Sequence, residues 1–307
     1  MINKKCAIMC FLATQKGAEM LLVSIRAGYV HEIGCVVTFK ELIAESYEKE
    51  ILRLCLENNI PFYWWGTIKD SIDNLIEKHG ITGIVAAGWK YMIPLSLNDY
   101  LRYPIIVFHD SLLPKYRGFA PTPTAIMVGD NNIGVTALYA ANDVDRGEII
   151  WQKETPIDSD LSIKEVISVQ SKAYGEGFMF LLERMKEGIE LSSVAQDEGL
   201  ATYSIWRSPD DCKIDWSKTA QEIHNFVRAL GSPYSGAFTT YKDKIVRVLR
   251  TTIVPDLQFV IRDYGKIWGK DENGPLVICG EGMIQINSAV FEDGKSVDFD
   301  TIRYRLN

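Results

Sequence analysis

The stretch "VFHDSLLPKYRGFAP", residues 107–121, sets His109, Asp110 and Ser111 directly after the apolar run "IIVF". Imidazole is the side chain best suited to moving a proton near neutral pH, and a proline-bounded loop is suited to holding it still. A second polar turn, "ANDVDRGE", carries Asp145. A carboxylate beside an imidazole fixes its tautomer and favours its charged form, so His109 and Asp145 together would make an acid–base couple. Each residue also has a plainer role: a histidine at a strand end is commonly a structural hydrogen-bonder, and Asp followed by Gly populates turns. Spacing alone leaves both readings open. His31, His79 and His224 stand in separate helical or loop contexts, and no cluster has metal-ligand spacing, so no metal is expected.

Positioning these groups is the task of the surrounding elements. Short β-rich runs alternate with segments of helical period through "KCAIMCFL", "AEMLLVSIRAG", "IGCVVTF", "YEKEILRLCLENN", "PFYWW", "IDNLIEKHG", "ITGIVAAG" and "YPIIVFH". That alternation predicts an α/β fold with a doubly wound, mainly parallel sheet. "GIVAAG" and "IIVFH" lack polar alternation, as expected of central strands covered on both faces. Ligands of such folds gather beyond the carboxyl ends of the strands, which is where His109 falls. "IGVTALYAA" and "GEIIWQKE" read as two further strands joined by the Asp145 turn, and residues 163–188 as a long helix. Residues 192–213 have no clear period and read as a linker. One helical pattern, "TAQEIHNFVRAL", and several short strands then predict a smaller C-terminal β-barrel (OB-like) domain. The expected division is 1–200 for a catalytic domain and 201–307 for the barrel.

Composition narrows the classes. The chain has 307 residues, 47% of them hydrophobic and 24% charged, enough for two sizeable cores. A net charge of −7 argues against a phosphate backbone as the main partner. No apolar run approaches the roughly 20 residues of a membrane span, so no membrane partner is expected. The N-terminal "MINKKCAIMCFLATQKG" reads as a first strand rather than a signal peptide. Six cysteines without a CxxC pair read as reduced core thiols, which places the protein in the cytoplasm.

"HDSLLPKYRG", followed in order by "AP", "GVT" and "DVDRGEI", resembles the folate-dependent formyltransferases with their H-x-S-L-L-P-x-x-R-G, G-V-T and D-x-G motifs. "RSPDDCKIDW", "IHNFVRAL" and "PYSGAF" resemble the barrel domain of methionyl-tRNA formyltransferases and of the domain that formylates UDP-4-amino-arabinose. The resemblance implies N10-formyltetrahydrofolate as formyl donor and an amine as acceptor. It also implies a catalytic Asn, His and Asp, of which His109 and Asp145 match the last two. Val107 occupies the Asn position, where a hydrogen-bond donor to the formyl oxygen is missing; losing such a donor typically costs about 2.7–4 kcal/mol. His109 itself, a backbone N–H, an ordered water or Lys90 is a candidate substitute. The folate loops correspond to Gly88, Trp89, Lys90 and Met92, and to Asn142 and Asp143.

Methionyl-tRNA formyltransferases carry a basic insertion after the second strand. The matching "KELIAESYEKEILRL" is acid-rich, which turns the expectation away from tRNA and toward a nucleotide-linked amino sugar. Ser111, Lys115, Tyr116 and Tyr234 are the candidate substrate contacts. Phe119 and Trp206 are further candidates for stacking on base or sugar. A methionyl-tRNA formyltransferase, or a folate- or nucleotide-sugar-binding homologue without turnover, are the alternatives. A homodimer is compatible with either.

Overall fold

Strands form where apolar and β-branched residues run together, and helices where the apolar period lengthens to 3–4. The computed structural model describes residues 6–41, 46–300 and 302–307. The first five residues and part of the acid-rich stretch, 42–45, lie outside the described residues. In chain order the elements are β1 (Ile8–Leu12), α1 (Thr14–Arg26), β2 (Ile33–Thr38), α2 (Glu48–Glu57), β3 (Phe62–Trp64), α3 (Trp65–Ile68), α4 (Ile72–His79), β4 (Gly83–Ala87) and β5 (Tyr103–His109). Then follow β6 (Arg117–Gly118), α5 (Pro121–Val128), β7 (Asn132–Tyr139), β8 (Ile149–Pro156), α6 (Ile163–Glu187) and β9 (Tyr203–Ser204). The remainder comprises α7 (Ala220–Leu230), β10 (Ala237–Tyr241), β11 (Lys244–Val254), β12 (Ile267–Asp271), β13 (Gly274–Ile278) and β14 (Met283–Phe291).

The larger sheet has seven strands in the order β3-β2-β1-β4-β5-β7-β8. Its first five strands run parallel, and β7 and β8 are antiparallel to their neighbours. β1 and β4 are buried throughout, as strands covered on both faces must be. Alternation along β5 divides it between two cores. Ile106 and Phe108 join the cluster that includes Leu21, Tyr174 and Phe178 of α1 and α6, while Ile105 and Val107 join the one that includes Ile72 and Leu75 of α4. His109 therefore continues the second face and Asp110 the first.

The chain divides into two units. One comprises Met1–Pro121, Asn132–Pro156 and Val166–Ser204, the other Thr122–Asn131, Ile157–Glu165 and Ile205–Asn307. The expected boundary at 200 moves to 204 because β9 pairs in parallel with β6. Two short pieces from within the first 200 residues belong instead to the second unit, where Met127 packs on its core and the Leu161 carbonyl accepts a hydrogen bond from Arg228. That unit is built on a five-stranded antiparallel sheet in the order β10-β11-β14-β13-β12. α7 begins with a capping box in which Thr219 and Glu222 satisfy each other's backbone N–H groups.

Candidate active site

His109 ends β5 and is 9% exposed. Its Nε2 lies 2.8 Å from the Tyr116 carbonyl, which assigns that nitrogen a proton. Its Nδ1 faces Asp145 Oδ2 at 3.5 Å. This is long for a hydrogen bond and short for a charge pair, so the ring gains an ionic partner when Nδ1 takes up a proton. Asp145 Oδ2 also accepts the Gly118 N–H at 2.8 Å. Asp145 has φ 58°, and Tyr116 has the same value, so each partner of the imidazole sits on left-handed backbone. The glycine of D-x-G has a steric reason: a Cβ on Gly147 would lie 1.7 Å from the Tyr139 carbonyl oxygen.

The loop after His109 is tied down from several sides. Thr136 Oγ1 donates to the Ser111 carbonyl at 2.6 Å and accepts from the Leu113 N–H at 3.2 Å. Gln152 Nε2 reaches the Leu113 carbonyl, and Gln170 Nε2 spans the carbonyls of Asp110 and Gly134. Ser111 is buried with its hydroxyl committed to the Lys115 carbonyl at 2.5 Å, so it braces the loop rather than facing a substrate.

Arg117 is fully buried, with its guanidinium held by Gln196 Oε1 and by both carboxylate oxygens of Glu198 at 2.8 Å. The same Gln196 donates to the carbonyls of Asp145 and Gly147, each at 2.8 Å. One amide thus couples the R-G of the first motif to the D-x-G of the second. Residues expected to form a linker are part of the site. Beside it Arg117, Gly118, Asp143, Val144, Arg146 and Tyr203 line an open cleft of about 300 Å³.

The loop after β4 is shaped around Gly88, whose φ is 63° and whose Cβ, if present, would meet the Ala13 oxygen at 2.5 Å. Trp89 packs edge-on against Phe11, Phe39, Trp65 and Tyr91, and its Nε1 is buried without a partner. Lys90 lies over the rings of Phe39 and Tyr91, just past the end of β2. Met92, Asn142 and Asp143 are exposed. Lys115 is exposed on the His109 loop, while Tyr116 contributes its carbonyl to the imidazole. Trp206 and Tyr234 are exposed and belong to the second unit. Val107 is half-buried and pairs with Ala86 and Leu138, in an apolar setting.

A family profile described as "Formyl transferase" matches residues 11–179, and one described as "Formyl transferase, C-terminal domain" matches 207–304. The chain belongs to the formyl transferase family. Among relatives of this formyltransferase, the methionyl-tRNA formyltransferase of Lactococcus lactis subsp. lactis is 31% identical over 287 residues, spanning 90% of this chain and 88% of that protein. That of Clostridium novyi is 28% identical over 255 residues, 82% and 80% of the two chains. The fold is shared with WlaRD, a sugar 3N-formyl transferase solved in the presence of dTDP and 5-N-formyl-THF, at TM-score 0.68 and 20% identity over 94% of this chain and 98% of that one. An N-formyltransferase from Helicobacter canadensis, solved with folinic acid and dTDP-3-aminofucose, gives TM-score 0.68 at 18% identity over 92% and 98%.

Gln196 escaped the sequence reading because nothing in an aperiodic segment marks one glutamine above its neighbours. Lys16, Asp110 and Tyr174, which meet behind the loop, were also not singled out as site residues. Lys16 and Tyr174 lie in helices and Asp110 in the loop after β5, so no single stretch of sequence joins the three.

Proposed function

We propose that this formyltransferase moves the formyl group of N10-formyltetrahydrofolate onto the amine of a nucleotide-linked amino sugar. The carrying observation is the His109–Asp145 pair at the carboxyl end of β5. The neutral amine attacks the formyl carbon and a tetrahedral oxyanion forms. His109 Nδ1, facing Asp145, takes the proton that the amine loses and gives it to folate N10 as the oxyanion collapses to the new amide and the C–N10 bond breaks. With valine at 107, oxyanion stabilisation falls to backbone N–H groups, water and the charged imidazole. For folate, the exposed backbone of 142–144 and the close-set Gly88 turn are suited to a flat heterocycle, with Trp89, Lys90 and Met92 alongside.

The acceptor assignment draws on charge. The net charge is −7, and the segment after β2 sets Glu41, Glu45, Glu48 and Glu50 against Lys40, Lys49 and Arg53. Such a charge balance disfavours counterion release from a tRNA stem. The second reading, formylation of methionyl-tRNA, is favoured by the names of the sequence relatives. No helix among the described residues is long and apolar enough to cross a membrane.

Mass spectrometry separates these readings. The protein is incubated with N10-formyltetrahydrofolate and a nucleotide-linked 4-amino sugar, and in parallel with charged initiator tRNA. A mass gain of one formyl group on the sugar is expected. Formylation of the tRNA alone would overturn the sugar assignment, and folate binding without turnover on either would favour a homologue that only binds.

A further inference from the structure

On the face of β5 opposite His109, three ionisable side chains meet. Asp110, the residue after the histidine, pairs through Oδ2 with Lys16 of α1 and accepts a hydrogen bond at Oδ1 from the Tyr174 hydroxyl of α6. Tyr174 is 1% exposed and the Lys16 side chain 10%. The Lys16 ammonium lies 5.6 Å from the centre of the Tyr174 ring, which in turn packs on Phe108 at 5.3 Å. Burial pushes the Asp110 carboxyl up, but the Lys16 charge and the hydrogen bonds from Lys16 and Tyr174 outweigh it and hold the group below its usual range. Burial and the neighbouring carboxylate push the Tyr174 phenol well up, so it remains a donor. None of these groups has a part in the transfer described above.

We propose that Lys16, Asp110 and Tyr174 form a positioning network for His109, clamping the end of β5 between α1 and α6 and presenting to the imidazole a neutral ion pair in place of a lone charge. Consecutive Cα atoms are about 3.8 Å apart, so whatever fixes Asp110 fixes the backbone that aims His109 at Tyr116 O and Asp145. An ion pair this close screens itself; a half-pair does not. Asp145 faces the ring from the front, and Arg117 and Arg146, next in sequence to Tyr116 and Asp145, have their charges met by Glu198 and Asp143. The network rests on the assignment of His109 as proton carrier and is independent of which amine is the acceptor.

The two halves have opposite signatures. Lys16→Met leaves a negative charge beside His109 and favours imidazolium; Asp110→Asn leaves a positive charge and disfavours it. The ring resonance of His109, identified by its loss in His109→Ala, is followed by NMR against pH in the full chain without acceptor. Its titration midpoint should rise in Lys16→Met and fall in Asp110→Asn, each by about half a pH unit or more, and return close to the parent value in the double variant. Binding of 5-formyltetrahydrofolate and the far-UV spectrum check folding. A single variant that does not fold is replaced by Lys16→Gln or Asp110→Ser, which change charge identically. Unchanged midpoints, or shifts of the same sign in both singles, would overturn the proposal. So would failure of all four to fold, which would make the network a determinant of the fold alone. Loss of the sugar assignment in the mass assay would leave this measurement unaffected.

Discussion

Position 107 sets a donor's chemical advantage against an apolar environment. Val107 packs with Ile105 into the strand-end core and pairs with Ala86 and Leu138, none of which can satisfy an amide side chain. Val107→Asn should therefore lower stability by about 1–3 kcal/mol in denaturant unfolding, without faster turnover. A tenfold gain in rate at unchanged stability would show instead that the site works short of a donor. His109 and Asp145 should behave as one unit: His109→Ala and Asp145→Ala each remove most turnover, and the double variant is about as slow as the worse single. Independent, multiplying losses would contradict the 3.5 Å pairing. Spacing alone leaves the roles of these two residues open, and it is the resemblance of the H-x-S-L-L-P and D-x-G motifs that singles them out as a pair; the structure sets them 3.5 Å apart. Lys16 was not legible, since a lysine in the first turn of a helix looks like any solvated lysine until its carboxylate partner 94 residues away is placed beside it.

The elements were legible where one signal dominated. The unbroken apolar runs became β1, β4 and β5, and the 25-residue period of α6 survived intact. α5, short and opening on two prolines, and β12, whose Trp268 is 55% exposed, carried no comparable signal. The segment 192–204 was misread because its order comes from partners far away in sequence: Val194 bridges Ile149, and β9 pairs with β6. Gln196→Ala should then lower the thermal midpoint and, by loosening the Asp145 turn, reduce kcat more than folate affinity; an effect confined to stability would argue that the turn holds without it. The clamp between α1, β5 and α6 has its own pH signature. Asp110 is more acidic folded than unfolded, so its contribution is complete above the unfolded value near 4 and is lost as pH falls through the lower folded value. Asp110→Asn should be less stable at neutral pH and lose less on acidification, as read by denaturant midpoints from pH 7 down to about pH 3.

For the molecule as a whole, the charge balance makes a prediction of its own. With −7 overall, affinity for initiator tRNA should be weak near physiological ionic strength and lack a steep salt dependence. Tight binding that collapses between low and moderate salt, measured by filter retention, would restore the tRNA reading. Composition and pattern give two units, while the seam between them is drawn by contact rather than by chain order. That seam governs where the protein can be dissected. A fragment cut at the apparent linker near residue 190 would keep every motif residue of the catalytic half and discard Gln196, Glu198, Thr202 and Ser204. Arg117 would be left as a bare cation in the interior, and the turn that carries Asp145 would lose its brace. Anyone excising the first unit, or grafting it onto another module, should carry the chain through Ser204, because the last few residues before the seam hold Arg117 and the Asp145 turn in place rather than merely leading out of the fold.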